Sequence, residues 1–262
     1  MSTPLRKVNK HNAPTKRFEH SLWSAGNKHV VGIDEVGSGA WAGPLTIAAA
    51  VIPKDKRLYK VRDSKALNEK ERESLYDGIT NWCSHWSVGH ATNQECDEFG
   101  MSHAQKLATK RALTSLNIEI DHALIDGKWD FVGEFVGKAN RTMIIRGDAK
   151  CLSIAAASIL AKVTRDRIMK EHHKFFPDYA FESNKGYPCP KHKRALYESG
   201  PTPLHRISWK YMKDTPYSQA PQPRKDPAQN TLFGQQCFDS KFIVYMSAYY
   251  SVNSYDQIMG QP

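Results

Sequence analysis

An α/β domain over about residues 28 to 175, followed by a basic helical appendage, is the architecture this sequence predicts. Three observations carry it. Short apolar runs of strand length recur at 29–36, 46–52, 123–125 and 143–145, segments of helical spacing lie between and after them, and 262 residues suffice for one sizeable core or two small domains.

Taken in order, residues 29–36 form a buried strand through Val30, Val31 and Ile33, ending at Asp34 and Glu35 and followed by Gly37 and Gly39. Residues 46–52 make a neighbouring strand across a turn that carries Gly and Pro. Asn68 followed by Glu71 has the capping-box pattern, and Leu75, Ile79 and Trp82 then recur at helical spacing. Trp86, Val88 and His90 alternate as a strand, 104–116 reads as a helix, and 123–125 and 143–145 are two further short strands. Residues 152–173 form the longest predicted helix, with Ala155, Ala156 and Ala157 small enough for a close approach to the sheet. No internal repeat is visible.

Composition sets the class. Apolar residues make up 40% and charged residues 24%, and no apolar run reaches the ~18 residues of a membrane span. Lys7, Lys10, Lys16 and Arg17 precede no apolar stretch, which argues against a secretory signal and leaves a mitochondrial transit peptide open. Residues 1–27 are expected to be a basic, flexible extension. Five cysteines, odd in number and without a C-x-x-C pair, argue against a disulfide framework or zinc knuckle and point to a reducing, cytoplasmic setting. Cys189 with His192, or His172 with His173, lack a four-ligand zinc spacing and are expected at the surface. His205 is expected to serve packing or a phosphate contact.

The formal net charge of +10 favours a polyanionic partner. From Lys162 to Lys213 there are twelve Lys or Arg against five Asp or Glu, interleaved with Phe175, Phe176, Tyr179, Tyr187 and Trp209. For that run alone, a solvated basic face over core aromatics is an equal alternative.

Carboxylates at strand ends sharpen the reading. Asp126 follows an apolar run, as Asp34 does, and Asp148 precedes the Ala-rich helix. Asp63 and Asp121 read as turn or cap residues. Burying ionised carboxylates is costly unless cations or donors compensate, and oxygen-rich sites suit Mg²⁺ or Mn²⁺. Two such ions about 4 Å apart can clamp a phosphoryl group during in-line displacement. Consecutive strand residues face opposite ways, so Asp34 and Glu35 reach the same ions only where the strand ends or twists, or through a backbone carbonyl.

Six ordered segments resemble the ribonuclease HII family. They are Gly32-Ile-Asp-Glu-Val-Gly-Ser-Gly39 with Ala42-Gly-Pro44, Asp63-Ser-Lys65, Leu124-Ile-Asp-Gly127, Gly147-Asp-Ala-Lys150 with the helix 153–162, Lys185-Gly-Tyr187, and Gly200-Pro-Thr-Pro-Leu-His-Arg206. The resemblance covers about residues 28 to 210. It implies a ribonuclease H-like mixed β-sheet flanked by helices, catalysis with two divalent ions (Mg²⁺ or Mn²⁺) bound by Asp34, Glu35, Asp126 and Asp148, and 3′-hydroxyl and 5′-phosphate products. The implied substrates are RNA/DNA hybrids and duplex DNA with embedded ribonucleotides. By matching position, Gly37, Ser38, Gly39 and Tyr187 would read the 2′-hydroxyl, which distinguishes RNA from DNA. Ser64 and Lys65 would hold a backbone phosphate.

Ser38 departs from the family, whose motif usually carries Arg between the glycines. Arg offers five donors in a fixed fork where Ser offers one hydroxyl. Activity is expected to remain, whereas preference for a single embedded ribonucleotide becomes open. A small polar residue between glycines is more similar to ribonuclease HIII, which favours longer hybrid stretches. A weakly catalytic hybrid-binding protein is a further alternative.

The catalytic domain with its helical appendage is expected over 28–213 and a linker and tail over 214–262. Residues 214–230 are rich in Pro, Gln and Lys. Gln229, Leu232 and Phe233 are similar to the Q-x-x-L-F peptide that docks bacterial replication proteins on the sliding clamp. Beyond them Phe238, Phe242, Tyr245, Tyr249 and Val252 suit a helical face, though a strand is equally arguable. The chain is expected to act as a monomer.

Overall fold

The computed structural model describes residues 13–58, 61, 64 and 67–218. In chain order these form α1 (Arg17–Ser24), β1 (Val30–Val36), β2 (Leu45–Val51), α2 (Glu69–Trp82), β3 (His85–Ala91), α3 (Asn93–Ser115), β4 (His122–Asp126), α4 (Gly133–Val136), β5 (Arg141–Ile144), α5 (Gly147–Lys150), α6 (Leu152–Phe175), α7 (Phe181–Asn184) and α8 (Pro190–Ser199). Residues 219–262, with Gln229, Leu232 and Phe233, lie outside the described residues, as do Asp63 and Lys65.

The strands make one sheet in the order β3-β2-β1-β4-β5. β1 pairs antiparallel with β2 across a short turn, and β2 pairs antiparallel with β3, which follows α2 in the chain. β4 joins the other side of β1 in parallel, and β5 joins β4 in parallel. A parallel neighbour requires a long crossover, which here runs through α2, β3 and α3. The alternation of runs predicts an α/β domain, and the mixed sheet is the one that the family resemblance implies.

Both faces of the sheet are covered. Ala104, Ala108 and Ala112 of α3 pack with Val31, Ile33, Leu45 and Ile47 on one side. On the other, Ala155, Ala156, Ile159 and Leu160 of α6 meet Ala48, Ala50, Leu75 and Ile79. The alanines let α6 ride so close to β1 that a Cβ on Gly32 would lie 2.3 Å from the Ser153 carbonyl carbon. Packing at that separation admits only glycine.

The Asn68 cap is complete, with Glu71 N–H donating to Asn68 Oδ1 (2.9 Å) and Asn68 N–H to Glu71 Oε2 (2.8 Å). α3 begins earlier than residue 104, at a second capping box formed by Thr92 and Glu95. Gly100, at φ +75°, kinks the helix and breaks the apolar period there, which hides the first turns from a periodicity argument.

The expectation of a flexible extension over 1–27 fails from residue 13 onward. Lys16 Nζ donates to the carbonyls of Pro53 (2.6 Å), Lys54 (3.1 Å) and Lys56 (2.6 Å). Glu19 is fully buried, and its Oε1 accepts from Ser153 N–H at 2.7 Å. That contact caps α6, whose own N-cap residue Cys151 makes no side-chain cap bond. Phe18, Leu22 and Trp23 pack against Val30, Leu124, Ile144 and Ile154. The Lys16 and Glu19 side chains are thus held by backbone groups distant in sequence.

Among the described residues no helix is long and apolar enough to cross a membrane.

Candidate active site

Strand register builds the centre. Ile33 of β1 faces Ile125 of β4, so the residues that follow, Asp34 and Asp126, stand side by side at the same end of the sheet. Asp148 arrives from the first turn of α5. The three carboxylates each place an oxygen within 4.8 Å of the others. Backbone donors orient them: Glu35 N–H donates to Asp34 Oδ1 and Gly147 N–H to Asp126 Oδ1, both at 2.7 Å. Asp34 and Asp148 are buried and Asp126 is half-buried. Burial foremost, then the neighbouring Asp126, pushes the Asp34 carboxyl from its ordinary 3.8 to about 8. Hard oxygen donors crowded at this cost fit a divalent cation of the Mg²⁺ or Mn²⁺ type.

Glu35 does not enter that group of three. β1 continues to Val36, so strand alternation holds and Glu35 turns toward α3, where Gln105 Nε2 donates to its Oε2 at 2.5 Å. Burial raises the Glu35 carboxyl, opposed by hydrogen bonds from Gln105 and Ser38 and by the charge of Arg206. Its side chain nevertheless lines the same cleft.

That cleft, of about 400 Å³, is lined by Asp34, Glu35, Gly37, Ser38, Ser64, Arg72, Ser158, Lys162 and Tyr187 among others. Gly37 N–H donates to the Tyr187 hydroxyl at 3.2 Å, which joins the glycine loop to the segment that follows α7. Gly37 sits at φ +95°, and a Cβ there would lie 2.4 Å from Arg165 Nε and 2.8 Å from the Pro44 carbonyl oxygen. Ser38 and Gly39 are exposed at the rim, so the loop presents backbone to the cleft.

Two buried arginines hold this loop, and sequence reasoning gave them no role. Arg165 is fully buried and donates to the carbonyls of Pro44 (2.8 Å), Lys185 (2.7 Å) and Ala42 (3.0 Å). Its guanidinium also lies over the Tyr187 ring, 5.4 Å from the centroid. Arg206 donates to the carbonyls of Ser38 (3.2 Å) and Gly43 (3.0 Å). A polar residue in the Ala-rich helix was the available signal for Arg165.

Arg72, Ser158 and Lys162 were likewise unassigned. Ser158 Oγ donates to Ser64 Oγ at 2.8 Å, and Arg72 Nη1 donates to the carbonyls of Ser64 (3.0 Å) and Leu67 (2.6 Å). Lys162 pairs with Asp166 at 2.6 Å. Together these place two cations and two hydroxyls on the wall of the cleft that holds Asp34. Lys185 is buried against Glu69 and the Glu182 carbonyl, tying the appendage to α2.

The expected surface position of the histidines is corrected in part. His172 and His192 are buried, whereas His173 is half-buried and Cys189 caps α8 by accepting from His192 N–H. His192 is drawn inward by a hydrogen bond to His205, a long-range contact with no local signature. Asp121 accepts from the N–H groups of Lys28 and His29, which joins the start of β4 to the segment before β1.

Comparison with known proteins matches residues 31–212 to the family model described as ribonuclease HII. The ribonuclease HII of Streptomyces avermitilis is 42% identical over 204 residues, covering 78% of this chain and 86% of that protein. The crystal structure of ribonuclease H2 from Pyrococcus horikoshii superposes with a TM-score of 0.60 at 29% identity, covering 71% of this chain and 96% of that one. A complex of PCNA with RNase HII from Archaeoglobus fulgidus gives a TM-score of 0.58 at 26% identity, covering 71% and 95%.

Proposed function

This chain belongs to the ribonuclease HII family and is a ribonuclease H-type hydrolase, and from that premise we propose that it cuts the RNA strand of RNA/DNA hybrids and duplex DNA at embedded ribonucleotides. The observation that carries the reading is the convergence of Asp34, Asp126 and Asp148 beside a cleft walled by Gly37, Ser38 and Tyr187.

Asp34, Asp126 and Asp148 would hold two divalent cations, with Glu35 as the fourth carboxylate at the cleft wall. When bound, such ions lower the pKa of an attacking water and stabilise the leaving oxygen, giving 3′-hydroxyl and 5′-phosphate ends. The protein's part is to bind and orient. Backbone groups of Gly37 and Gly39 and the Tyr187 hydroxyl would meet the 2′-hydroxyl, since the Gly37–Tyr187 hydrogen bond places both at one rim. Arg72, Lys162, Ser64 and Ser158 would take a backbone phosphate, with Lys65 as a further cation. Ser38 has its hydroxyl engaged by Glu35 and lacks the reach of Arg, which favours tolerance of longer ribonucleotide runs. The setting would be cytoplasmic, where Cys83, Cys96, Cys151 and Cys189 stay unpaired thiols. Gln229, Leu232 and Phe233 would dock on a sliding clamp, by analogy with the Archaeoglobus complex.

The test compares, with Mg²⁺ or Mn²⁺, duplex DNA carrying one ribonucleotide with a duplex carrying a run of four or more. Cutting of both, 5′ to the lone ribonucleotide, is the expected result. Cutting of the run alone would move recognition to the ribonuclease HIII type, and cutting of neither would leave a hybrid-binding protein. Asp148→Asn should abolish cleavage while preserving binding, and full activity in it would overturn the site assignment.

A further inference from the structure

Two buried histidines outside the carboxylate centre form a hydrogen-bond chain whose polarity is set at both ends by the backbone. His192 and His205 approach through their Nε2 atoms at 2.9 Å. His205 Nδ1 accepts from Thr202 N–H at 2.9 Å, so the His205 proton resides on Nε2. His192 Nδ1 lies 2.9 Å from the Tyr187 carbonyl, which only accepts, so the His192 proton resides on Nδ1 and its Nε2 is free to accept. Protons thus point one way, from Thr202 through His205 and His192 to Tyr187. A proton added to the pair would set two donors face to face at Nε2.

The surroundings keep the pair neutral. Both histidines are buried, at 0% and 1% exposure. Tyr179 and Phe181 pack against both rings, and Trp41 against His192. Burial lowers both imidazoles below their ordinary range.

We infer that His192 and His205 are positioning residues: a tautomer-locked pair that anchors the Tyr187 backbone and thereby holds the Tyr187 hydroxyl on the Gly37 amide. Tyr187 is otherwise fixed by its own N–H on the Asn184 carbonyl (2.9 Å), and its ring lies under Arg165. The bond from His192 is the one that reaches it from α8. His205 is the link to the 200–206 segment, which bridges residue 42 of the glycine loop. Both walls of the rim are therefore tied to one pair. The functional consequence rests on the proposed reading of Tyr187 as a 2′-hydroxyl contact.

Two substitutions at one position separate anchoring from packing. Asn at 192 offers an amide donor near the Nδ1 place, whereas Gln offers an amide near Nε2 and has no donor toward Tyr187. His192→Asn should leave the Gly37 amide resonance in place, and His192→Gln should shift it. Cleavage of a hybrid should fall about tenfold in kcat/KM for His192→Gln, the scale of one lost hydrogen bond, and much less for His192→Asn. In the native protein, long-range ¹⁵N spectra of the histidines should show Nδ1–H for His192 and Nε2–H for His205. A Gly37 resonance that moves equally in both variants, or in neither, or the opposite tautomers, would overturn the inference. A Gly37 resonance that moves only in His192→Gln while cleavage holds would support the anchoring and refute instead the reading of Tyr187.

Discussion

Replacing Asp34 by Asn should stabilise the metal-free protein, and by an amount that grows with pH. The folded protein keeps the Asp34 proton up to about pH 8, against an ordinary value of 3.8. Ionisation therefore opposes folding: the cost is absent below about pH 4, grows through the interval, and is complete above about pH 8. Taken whole, that difference is ~6 kcal/mol. An independent figure comes from geometry, since two carboxylate oxygens within 4.8 Å of each other repel by at least ~3.5 kcal/mol at an effective dielectric constant of ~20. Water in the open cleft relaxes part of either, so a gain of about 3 kcal/mol is expected at high pH and under half of that near pH 5. Asn keeps the Oδ1 acceptor that Glu35 N–H uses, so the local backbone is preserved. Urea unfolding in EDTA at about pH 5 and about pH 8.5 measures the effect. Equal stability of variant and parent at the higher pH, or a gain that ignores pH, would refute the argument. Added Mg²⁺ should stabilise the parent and do so far less for the variant.

Other perturbations follow from the same contacts. Gly37→Ala forces a side chain into positive φ and against Arg165 and Pro44, so denaturant titration should show a loss of about 2 kcal/mol with reduced cleavage. Arg165→Gln would strand the carbonyls of Pro44, Ala42 and Lys185, costing about 3 kcal/mol or more in the same measurement. Glu19→Ala removes the cap of α6 and should cost about 1–2 kcal/mol, seen as a lower melting temperature; an unchanged one would place the cap elsewhere.

Much of the fold and part of the site are written in local patterns. Val30, Val31 and Ile33 before Asp34, and the apolar run before Asp126, mark buried strands with acids toward their C-terminal ends, although β1 itself runs on through Asp34 and Glu35 to Val36. Asn68 and Glu71 mark a helix start because that pair satisfies its own backbone. These signals act within a few residues of themselves, and so the sequence by itself determined the order of elements and the ends at which acids stand. Tertiary structure decided the rest. Whether Asp34 and Asp126 meet depends on β1 and β4 pairing in parallel register, which no local pattern specifies. Glu35 turned to Gln105 because the strand keeps its alternation one residue further, and Lys16 and Glu19 became buried because carbonyls and a helix end distant in sequence needed them. The same holds for Arg165 and Arg206, whose partners lie more than a hundred residues away in the glycine loop. A buried charge is tolerated only where such partners converge, and that convergence is a property of the packed chain.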